Sequence, residues 1–294
     1  MTQRSSPSCP CCNSPSPYLL SYATVDYFHC GSCDLIFRLR SKEDGEECIR
    51  HYREDYFRTS SADQLNVRRA ALFKGVIDCI EKTKKPGSLL DVGCGRGLFL
   101  QIARRRGWSV TGIDLSADSI REAEKFLEGR VFCTTLNSLA ADQSYDVVTL
   151  INVLDHMLDI RKEIFCIRAA LKDGGLLYLR FPNGLFHSSL LRLADRMHLA
   201  DVMQRLVVFH EYALTPKFTR RLLEEAGFSE VSIHNSPLAG SSVYQRLSAM
   251  RIFSDLFNQA GLLFARTLDF CSGGRFIIGP SLEVTAVKSG SPIV

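Results

Sequence analysis

Short apolar runs alternate with longer amphipathic stretches along residues 88–288. A run of strand length predicts a buried β-strand, whereas apolar residues at every third or fourth position predict a helix. The predicted strands cover residues 88–92, 108–114, 131–134, 145–152, 176–181, 231–235 and 281–288. Strands that alternate with helices in this way indicate an α/β domain with a doubly wound sheet.

The predicted helices between these strands begin and end at residues suited to those positions. Ser116 can cap a helix over 117–127, and Thr215 followed by Pro216 can begin another that ends at Gly227. Further predicted helices cover residues 67–82, 98–106 and 160–171. Two apolar and basic stretches interrupt the pattern and are predicted to be helical insertions, at about residues 183–214 and 237–279.

The first 40 residues are predicted to form a separate zinc ribbon. Two C-x2-C pairs stand seventeen residues apart, at Cys9, Cys12, Cys30 and Cys33. Two such pairs can place four thiolates around one tetrahedral zinc ion, which closes the site and gives the metal a structural role. So short a segment buries too little apolar surface to fold alone, so the metal would supply the missing stability. Cys11 is an alternative ligand to Cys12.

Composition limits the remaining possibilities. The chain has 294 residues, 46% hydrophobic residues and a formal net charge of +4, which is too mild to require a nucleic-acid partner. The sequence contains no run of about 18 apolar residues, so no transmembrane helix is predicted, and the N-terminus lacks the apolar core of a signal peptide. Eleven cysteines spread through predicted strands and helices do not form a secreted disulfide framework. We therefore expect a cytoplasmic protein.

The join between the first strand and first helix of the α/β domain carries the candidate ligand site. Asp91 ends the strand, and three alternate glycines follow it, at Gly93, Gly95 and Gly97. Glycines let the backbone approach a ligand closely. A second carboxylate, Asp114, follows the next strand, where it can accept hydrogen bonds from both hydroxyls of a ribose. Leu98 stands where the dinucleotide fingerprint needs glycine, so that ligand class is not indicated.

The spacing Asp91-x-Gly93-x-Gly95-x-Gly97 resembles motif I of the class I S-adenosylmethionine (SAM) methyltransferases, near methyltransferase domain type 23. The later segments Tyr145–Asn152 and Val153–His156 resemble that family's subsequent motifs, and the resemblance covers about residues 88–288. It implies a Rossmann-like seven-stranded sheet of order 3-2-1-4-5-7-6 with the last strand antiparallel. Residues 87–294 would then form the methyltransferase domain, and residues 41–86 a helical linker that covers the cofactor.

The resemblance also implies a set of cofactor contacts. Asp91 would lie near the methionine amino group, Asp114 would hold the ribose, and Asn152 would lie beside the methyl-transfer centre. Tyr56, with Tyr52 and Phe57 as alternatives, could shield the sulfonium by a cation–π contact or simply pack in the linker. The full predicted set is Asp91, Gly93, Cys94, Gly95, Gly97, Asp114, Leu115, Thr135, Leu136, Asn152 and Tyr56.

Methyl transfer from SAM is an in-line displacement that needs alignment and, for a hydroxyl acceptor, a base. Histidine suits this role because its usual pKa is near neutrality. His210 is the first candidate, since Glu211 and Tyr212 follow it at the end of the first insertion. His156 is the second candidate, with a structural role as its alternative. The carboxylate of Glu211 could orient the base or raise its pKa, and Tyr212 completes the predicted catalytic set. The alternative is a helix-entry cluster whose polar groups are satisfied by the backbone.

Three functions remain open. The first is methylation of a small-molecule acceptor, such as a sugar or glycan precursor or a natural product, at oxygen, carbon or nitrogen. In that case the insertions would form a lid over the acceptor, with an interface helix, as in a homodimer, or a membrane-surface helix as alternatives. The second is an RNA methyltransferase whose ribbon grips RNA. The third is a non-catalytic interaction protein that retains the fold.

Overall fold

The computed structural model describes residues 6–55, 67–139, 144–199, 207–236, 267 and 277–290. Its strands are β1 Tyr18–Tyr22, β2 Val25–His29, β3 Ile36–Arg38, β4 Ser88–Val92, β5 Ser109–Asp114, β6 Val131–Cys133, β7 Tyr145–Ile151, β8 Leu171–Pro182, β9 Tyr212–Ala213, β10 Phe228–Asn235 and β11 Ser281–Lys288. Its helices are α1 Lys42–Arg50, α2 Val67–Glu81, α3 Leu98–Arg105, α4 Ala117–Leu127, α5 Ile160–Ala170, α6 Gly184–Arg196 and α7 Pro216–Glu225.

Seven strands form the central sheet, in the order β6-β5-β4-β7-β8-β11-β10. Counted along the α/β domain, this is the predicted order 3-2-1-4-5-7-6, which is confirmed. β11 runs antiparallel to both of its neighbours, β8 and β10. Successive residues of β4 face opposite layers: Leu89 belongs to a buried cluster with residues of α2 and α3, and Leu90 belongs to one with residues of α5. Helices therefore cover both faces of the sheet, as a doubly wound fold requires.

Local signals placed most helix ends correctly. The Ser116 side chain accepts from the Ser119 amide, and Thr215 accepts from the Phe218 amide with Pro216 in the first turn of α7. β8 begins at Leu171, directly after α5. Gly174 has a φ of 72°, and the pairing of β7 with β8 shifts register between Tyr145 and Val147. Residues 172–175 thus form an irregular segment of β8 opposite a single residue of β7.

A second sheet has four strands in the order β1-β2-β3-β9. The first three belong to the N-terminal segment, here called the ribbon (residues 6–38). The fourth, β9, lies at the end of the first insertion, where the structure has a strand instead of the predicted helix. The ribbon thus shares backbone hydrogen bonds with a segment far along the chain.

The two predicted insertions are described only in part. Helix α6 occupies the first half of the first insertion, and residues 200–206 lie outside the described residues. Most of the second insertion, from 237 to 276, also lies outside them apart from Thr267. Among the helices that the structure describes, none has the length and apolar character needed to cross a bilayer.

One buried histidine of α6 should make stability depend on pH. His187 is 2% exposed and contacts the Pro280 carbonyl oxygen through Nε2 at 2.9 Å. Burial lowers the pKa of His187 to about 4, although the Pro280 hydrogen bond raises it. In the unfolded chain the pKa of His187 is about 6.5, so between pH 6.5 and pH 4 the unfolded chain binds a proton that the folded chain does not. The free energy of unfolding should therefore fall as the pH drops through this range. The contribution of His187 should lower the free energy of unfolding at pH 5 by about 2 kcal/mol relative to pH 7.

Denaturant unfolding at pH 7 and pH 5 measures this effect. Between pH 7 and pH 5 the wild type should lose more stability than the His187→Gln variant, and the difference should be about 2 kcal/mol. His198→Gln, at an exposed position after α6, is the matched control and should retain the wild-type pH dependence. Equal losses in His187→Gln and the wild type would contradict the assignment.

Candidate active site

The carboxyl ends of β4, β5 and β7 open into a cavity of about 460 Å³. This edge of a parallel sheet is where doubly wound domains bind ligands. Most of the predicted cofactor residues line the cavity: Asp91, Gly93, Cys94, Gly95, Asp114, Leu115, Thr135, Leu136 and Asn152. Gly97 does not line it and instead caps α3. Tyr56 and Phe57 lie outside the described residues, while Tyr52 lines the cavity.

The glycine turn after β4 leaves no room for side chains. Gly93 has a φ of 75°, and a Cβ there would lie 2.5 Å from Cγ2 of Val153. At Gly97 a Cβ would lie 2.6 Å from Cδ1 of Leu127. Both the backbone angle and the close contacts require glycine. Gly93 therefore brings bare backbone to the cavity wall, whereas Gly97 allows the turn to pack against α4.

Asp114 anchors this turn to the end of β5. Its Oδ2 accepts a hydrogen bond from the Gly95 amide at 2.8 Å, and its Oδ1 accepts one from the Ser116 amide at 2.8 Å. Burial raises the pKa of Asp114, and these amides oppose that shift. A carboxylate oxygen has a second lone pair. Each oxygen can therefore accept a further hydrogen bond from a ligand hydroxyl.

Asp91 lies deeper, at the end of β4. It is 4% exposed, and its Oδ1 accepts a hydrogen bond from the Thr149 hydroxyl at 2.6 Å. Burial raises the pKa of Asp91 to about 7, in spite of the Thr149 hydrogen bond. A ligand cation would favour the charged form of this carboxyl. The site is thus suited to an ammonium group.

Asn152 lies where β7 ends, in the left-handed region with a φ of 59°. Its Oδ1 accepts a hydrogen bond from Nη1 of Arg180 at 2.6 Å. Arg180 is 2% exposed, and its Nε also donates to the Ser236 hydroxyl at 3.0 Å. Sequence reasoning missed Arg180, although an arginine inside an otherwise apolar strand was a usable signal.

A cluster of two histidines and one carboxylate lies beside the cavity. His156 lines the cavity and is hydrogen-bonded through Nδ1 to the Tyr52 hydroxyl at 2.5 Å. The His210 ring lies against it, with 3.8 Å between the ring centroids. Asp155 Oδ2 is 3.8 Å from Nε2 of His210 and 3.9 Å from Nε2 of His156. The fold thus brings both predicted bases together, with His210 just behind the cavity wall.

Burial dominates the electrostatics of this cluster. It lowers the pKa of both His156 and His210 to about 4, and the Asp155 carboxylate raises the pKa of His210 in part. Burial raises the pKa of Asp155, which is 1% exposed and has no hydrogen-bond partner for either carboxylate oxygen among the described residues. Both rings are therefore neutral at pH 7 and have a nitrogen lone pair that can take a proton.

The sequence analysis did not select Asp155, although a carboxylate directly before a candidate histidine was visible. Ligand atoms of Asp155, His156 and His210 lie within 4.8 Å of one another, so the cluster could also hold a divalent cation. Tyr212 lies apart from the cavity lining, and its hydroxyl donates to the Leu158 carbonyl oxygen at 2.8 Å. Its predicted part in catalysis stays a prediction.

The four cysteines of the two C-x2-C pairs converge at one end of the ribbon. The Sγ atoms of Cys9 and Cys33 are 3.6 Å apart, and those of Cys12 and Cys30 are 3.4 Å apart. Tetrahedral zinc with Zn–S bonds of about 2.3 Å needs sulfurs about 3.7 Å apart, so the four side chains fit that ion. Cys11 is not part of this group, and its amide donates to Cys9 Sγ at 3.4 Å.

Comparisons with known proteins agree with this architecture. A family model described as a methyltransferase domain matches residues 65–233. A ubiquinone biosynthesis O-methyltransferase from Idiomarina loihiensis is 30% identical over 162 residues, which are 52% of this chain and 67% of that protein.

Two solved structures share the fold. A SAM-dependent methyltransferase from Archaeoglobus fulgidus has a TM-score of 0.52 at 19% identity, covering 80% of this chain and 100% of its own. Magnesium protoporphyrin IX methyltransferase from Synechocystis PCC 6803 has a TM-score of 0.53 at 15% identity, covering 85% of this chain and 100% of its own.

Proposed function

The chain belongs to the methyltransferase-domain family, and on that premise we propose that it moves a methyl group from SAM to a hydroxyl oxygen of a small molecule. The O-methyltransferase named among its relatives supports oxygen as the acceptor atom. The observation that carries the proposal is the cluster of Asp155, His156 and His210, because His156 lines the same cavity as the cofactor cradle, which consists of Asp91, Gly93, Gly95 and Asp114.

Each residue of the cradle would bind a different part of the cofactor. Asp114 would accept hydrogen bonds from the ribose hydroxyls, and Asp91 would pair with the methionine ammonium group. Gly93 and Gly95 would admit the methionine portion because they present backbone rather than side chains to the cavity. When bound, SAM supplies a methyl group on a sulfonium ion, which is already activated for displacement. Alignment of the acceptor is then the main task of the protein.

The histidine cluster removes the proton of the acceptor. As the new carbon–oxygen bond forms and the carbon–sulfur bond breaks, the hydroxyl proton passes to an imidazole nitrogen. We assign the proton to His210, directly or through His156, because Asp155 Oδ2 lies 3.8 Å from its Nε2 and stabilises the imidazolium. The proton then leaves to solvent. Since both rings are neutral at pH 7, they are ready to accept it.

The cysteine tetrad completes the proposal. We assign one zinc ion to Cys9, Cys12, Cys30 and Cys33, with a structural role, because four thiolates close the coordination sphere. The cation does not take part in methyl transfer.

Methyl incorporation from SAM into a panel of acceptors tests the proposed function. The panel contains catechols, other phenols, sugar nucleotides and short RNAs, and mass spectrometry locates the added methyl group. We expect an oxygen-linked methyl group on a small molecule, at a rate that does not depend on added Mg²⁺ or Mn²⁺. Methylation of RNA alone, or of carbon or nitrogen, would overturn the assignment. A rate that requires added cation would assign the histidine cluster to a metal instead.

A further inference from the structure

The ribbon completes its sheet with a strand from the acceptor side of the site. β3 pairs antiparallel with β9, through Ile36 with Ala213 and Phe37 with Tyr212. β9 begins two residues after His210. The backbone that carries His210 therefore leads directly into a strand of the ribbon's sheet.

Ribbon side chains also contact the residues on each side of His210. The Tyr27 hydroxyl donates to the His210 carbonyl oxygen at 2.7 Å, and the Tyr27 ring packs against Phe209 with 5.0 Å between centroids. Glu211 is ion-paired with Arg38, whose Nε is 3.1 Å from its Oε2, and with Arg40. Side chains from residues 27–40 thus contact three consecutive residues, 209–211.

The cysteine loop contacts the other end of the same segment. The Thr215 hydroxyl, which caps α7, donates to Asp34 Oδ2 at 2.8 Å, and Asp34 directly follows Cys33. Arg221 of α7 donates through Nη1 to the Ser32 carbonyl oxygen at 3.0 Å. Ser32 lies between Cys30 and Cys33. A metal ion that orders this loop would therefore also order the segment from His210 to Thr215.

We propose that the ribbon is a positioning module for His210, and that zinc in its tetrad sets how firmly the imidazole is held against Asp155 and His156. This inference rests on the proposed function, because it concerns the group assigned there as the proton acceptor. A two-residue strand such as β9 has little stability of its own, and a ribbon of this size depends on its metal. Zinc binding is thus coupled to the geometry of the base.

The cofactor cradle lies on different elements. Asp91, Gly93 and Asp114 belong to β4, β5 and the turn between β4 and α3, and none of the ribbon contacts described above involves them. Loosening the ribbon should therefore reduce the rate of methyl transfer while SAM affinity stays the same. It should also change the environment of the His210 ring, which can be observed without any acceptor.

The Tyr27→Phe variant of the full chain tests the link without disturbing the tetrad. Removing one hydrogen bond of about 1 kcal/mol should shift the His210 imidazole signals in NMR spectra and slow single-turnover methyl transfer by ~3- to 10-fold. The Kd of SAM in calorimetry should change less than about twofold. Tyr18→Phe is the matched control, because its hydroxyl is hydrogen-bonded to the Ser21 hydroxyl at 2.8 Å, at an exposed position of the ribbon. His210→Asn identifies the His210 signals.

Zinc removal tests the metal. Titration of the full chain with a mercurial reagent releases zinc, which an indicator dye measures, while NMR follows the His210 ring. We expect the His210 signals to shift in step with zinc release, with SAM still bound. Unchanged His210 signals after release, or Tyr27→Phe behaving as Tyr18→Phe does, would overturn the proposal. If no acceptor is methylated by any variant, the proposed function fails, whereas the His210 signals still decide the positioning role.

Discussion

Replacing Asp114 with alanine is expected to weaken SAM binding by ~10²- to 10⁴-fold. In the proposed complex each carboxylate oxygen accepts a ribose hydroxyl, and a hydrogen bond to a charged group contributes about 1.5–3 kcal/mol. The substitution also leaves the amides of Gly95 and Ser116 without their acceptor, so the turn that carries the glycines loses its anchor. Both effects act on the cofactor and neither acts on the acceptor.

Calorimetric titration with SAM measures the Asp114→Ala effect. Asp118→Ala is the matched control, because Asp118 is half-buried in the first turn of α4 and pairs only with Arg121 among the described ion pairs. The control should bind SAM as the wild type does, and thermal unfolding should show that both variants are folded. A Kd within about threefold of the wild-type value would remove Asp114 from the ribose site.

Replacing His210 with asparagine is expected to slow methyl transfer by ~10²- to 10⁴-fold, the usual contribution of general-base catalysis. Asparagine retains the backbone carbonyl that accepts the Tyr27 hydrogen bond, so the segment should keep its place. SAM affinity should not change. Because burial lowers the pKa of His210 to about 4, the wild-type rate should stay level from pH 8 to pH 5 and fall only as the pH approaches 4. The variant should lack that fall.

His198→Asn provides the control for His210→Asn. His198 is exposed after α6 and already has a φ of 58°, a backbone angle that asparagine tolerates well. Its methyl-transfer rate and pH profile should match the wild type. The His210→Ala variant decides whether His210 is the base. If its methyl-transfer rate is reduced by less than about tenfold, His210 is not the base.

The cofactor half of the site was predictable because its signals are local. An apolar run, a Gly-rich turn and a helical pattern follow one another between Ser88 and Arg105, and the parallel sheet then brings Asp91 and Asp114 to the same edge. Each step depends only on neighbouring residues or on the rule that consecutive strands meet at their carboxyl ends. The whole strand order followed from the resemblance that these residues carry.

The acceptor half could be predicted only as candidates. His156 and His210 are far apart in sequence, and only the fold brings their ring centroids to 3.8 Å. The segment that carries His210 leads into β9, which pairs with the ribbon. With two residues, β9 is too short to show any hydrophobic period. Asp155 was visible beside His156, but only the fold shows that its carboxylate faces both rings.

The pairing of β3 with β9 also constrains how the chain is made. Ile36 pairs with Ala213, so 176 residues separate the two partners. During synthesis β3 has an unpaired edge until this long stretch has emerged and folded, and such edges recruit strands from other chains. Contacts of large sequence separation also form slowly. The ribbon is therefore made early and completed late, and aggregation during expression should begin at its open edge.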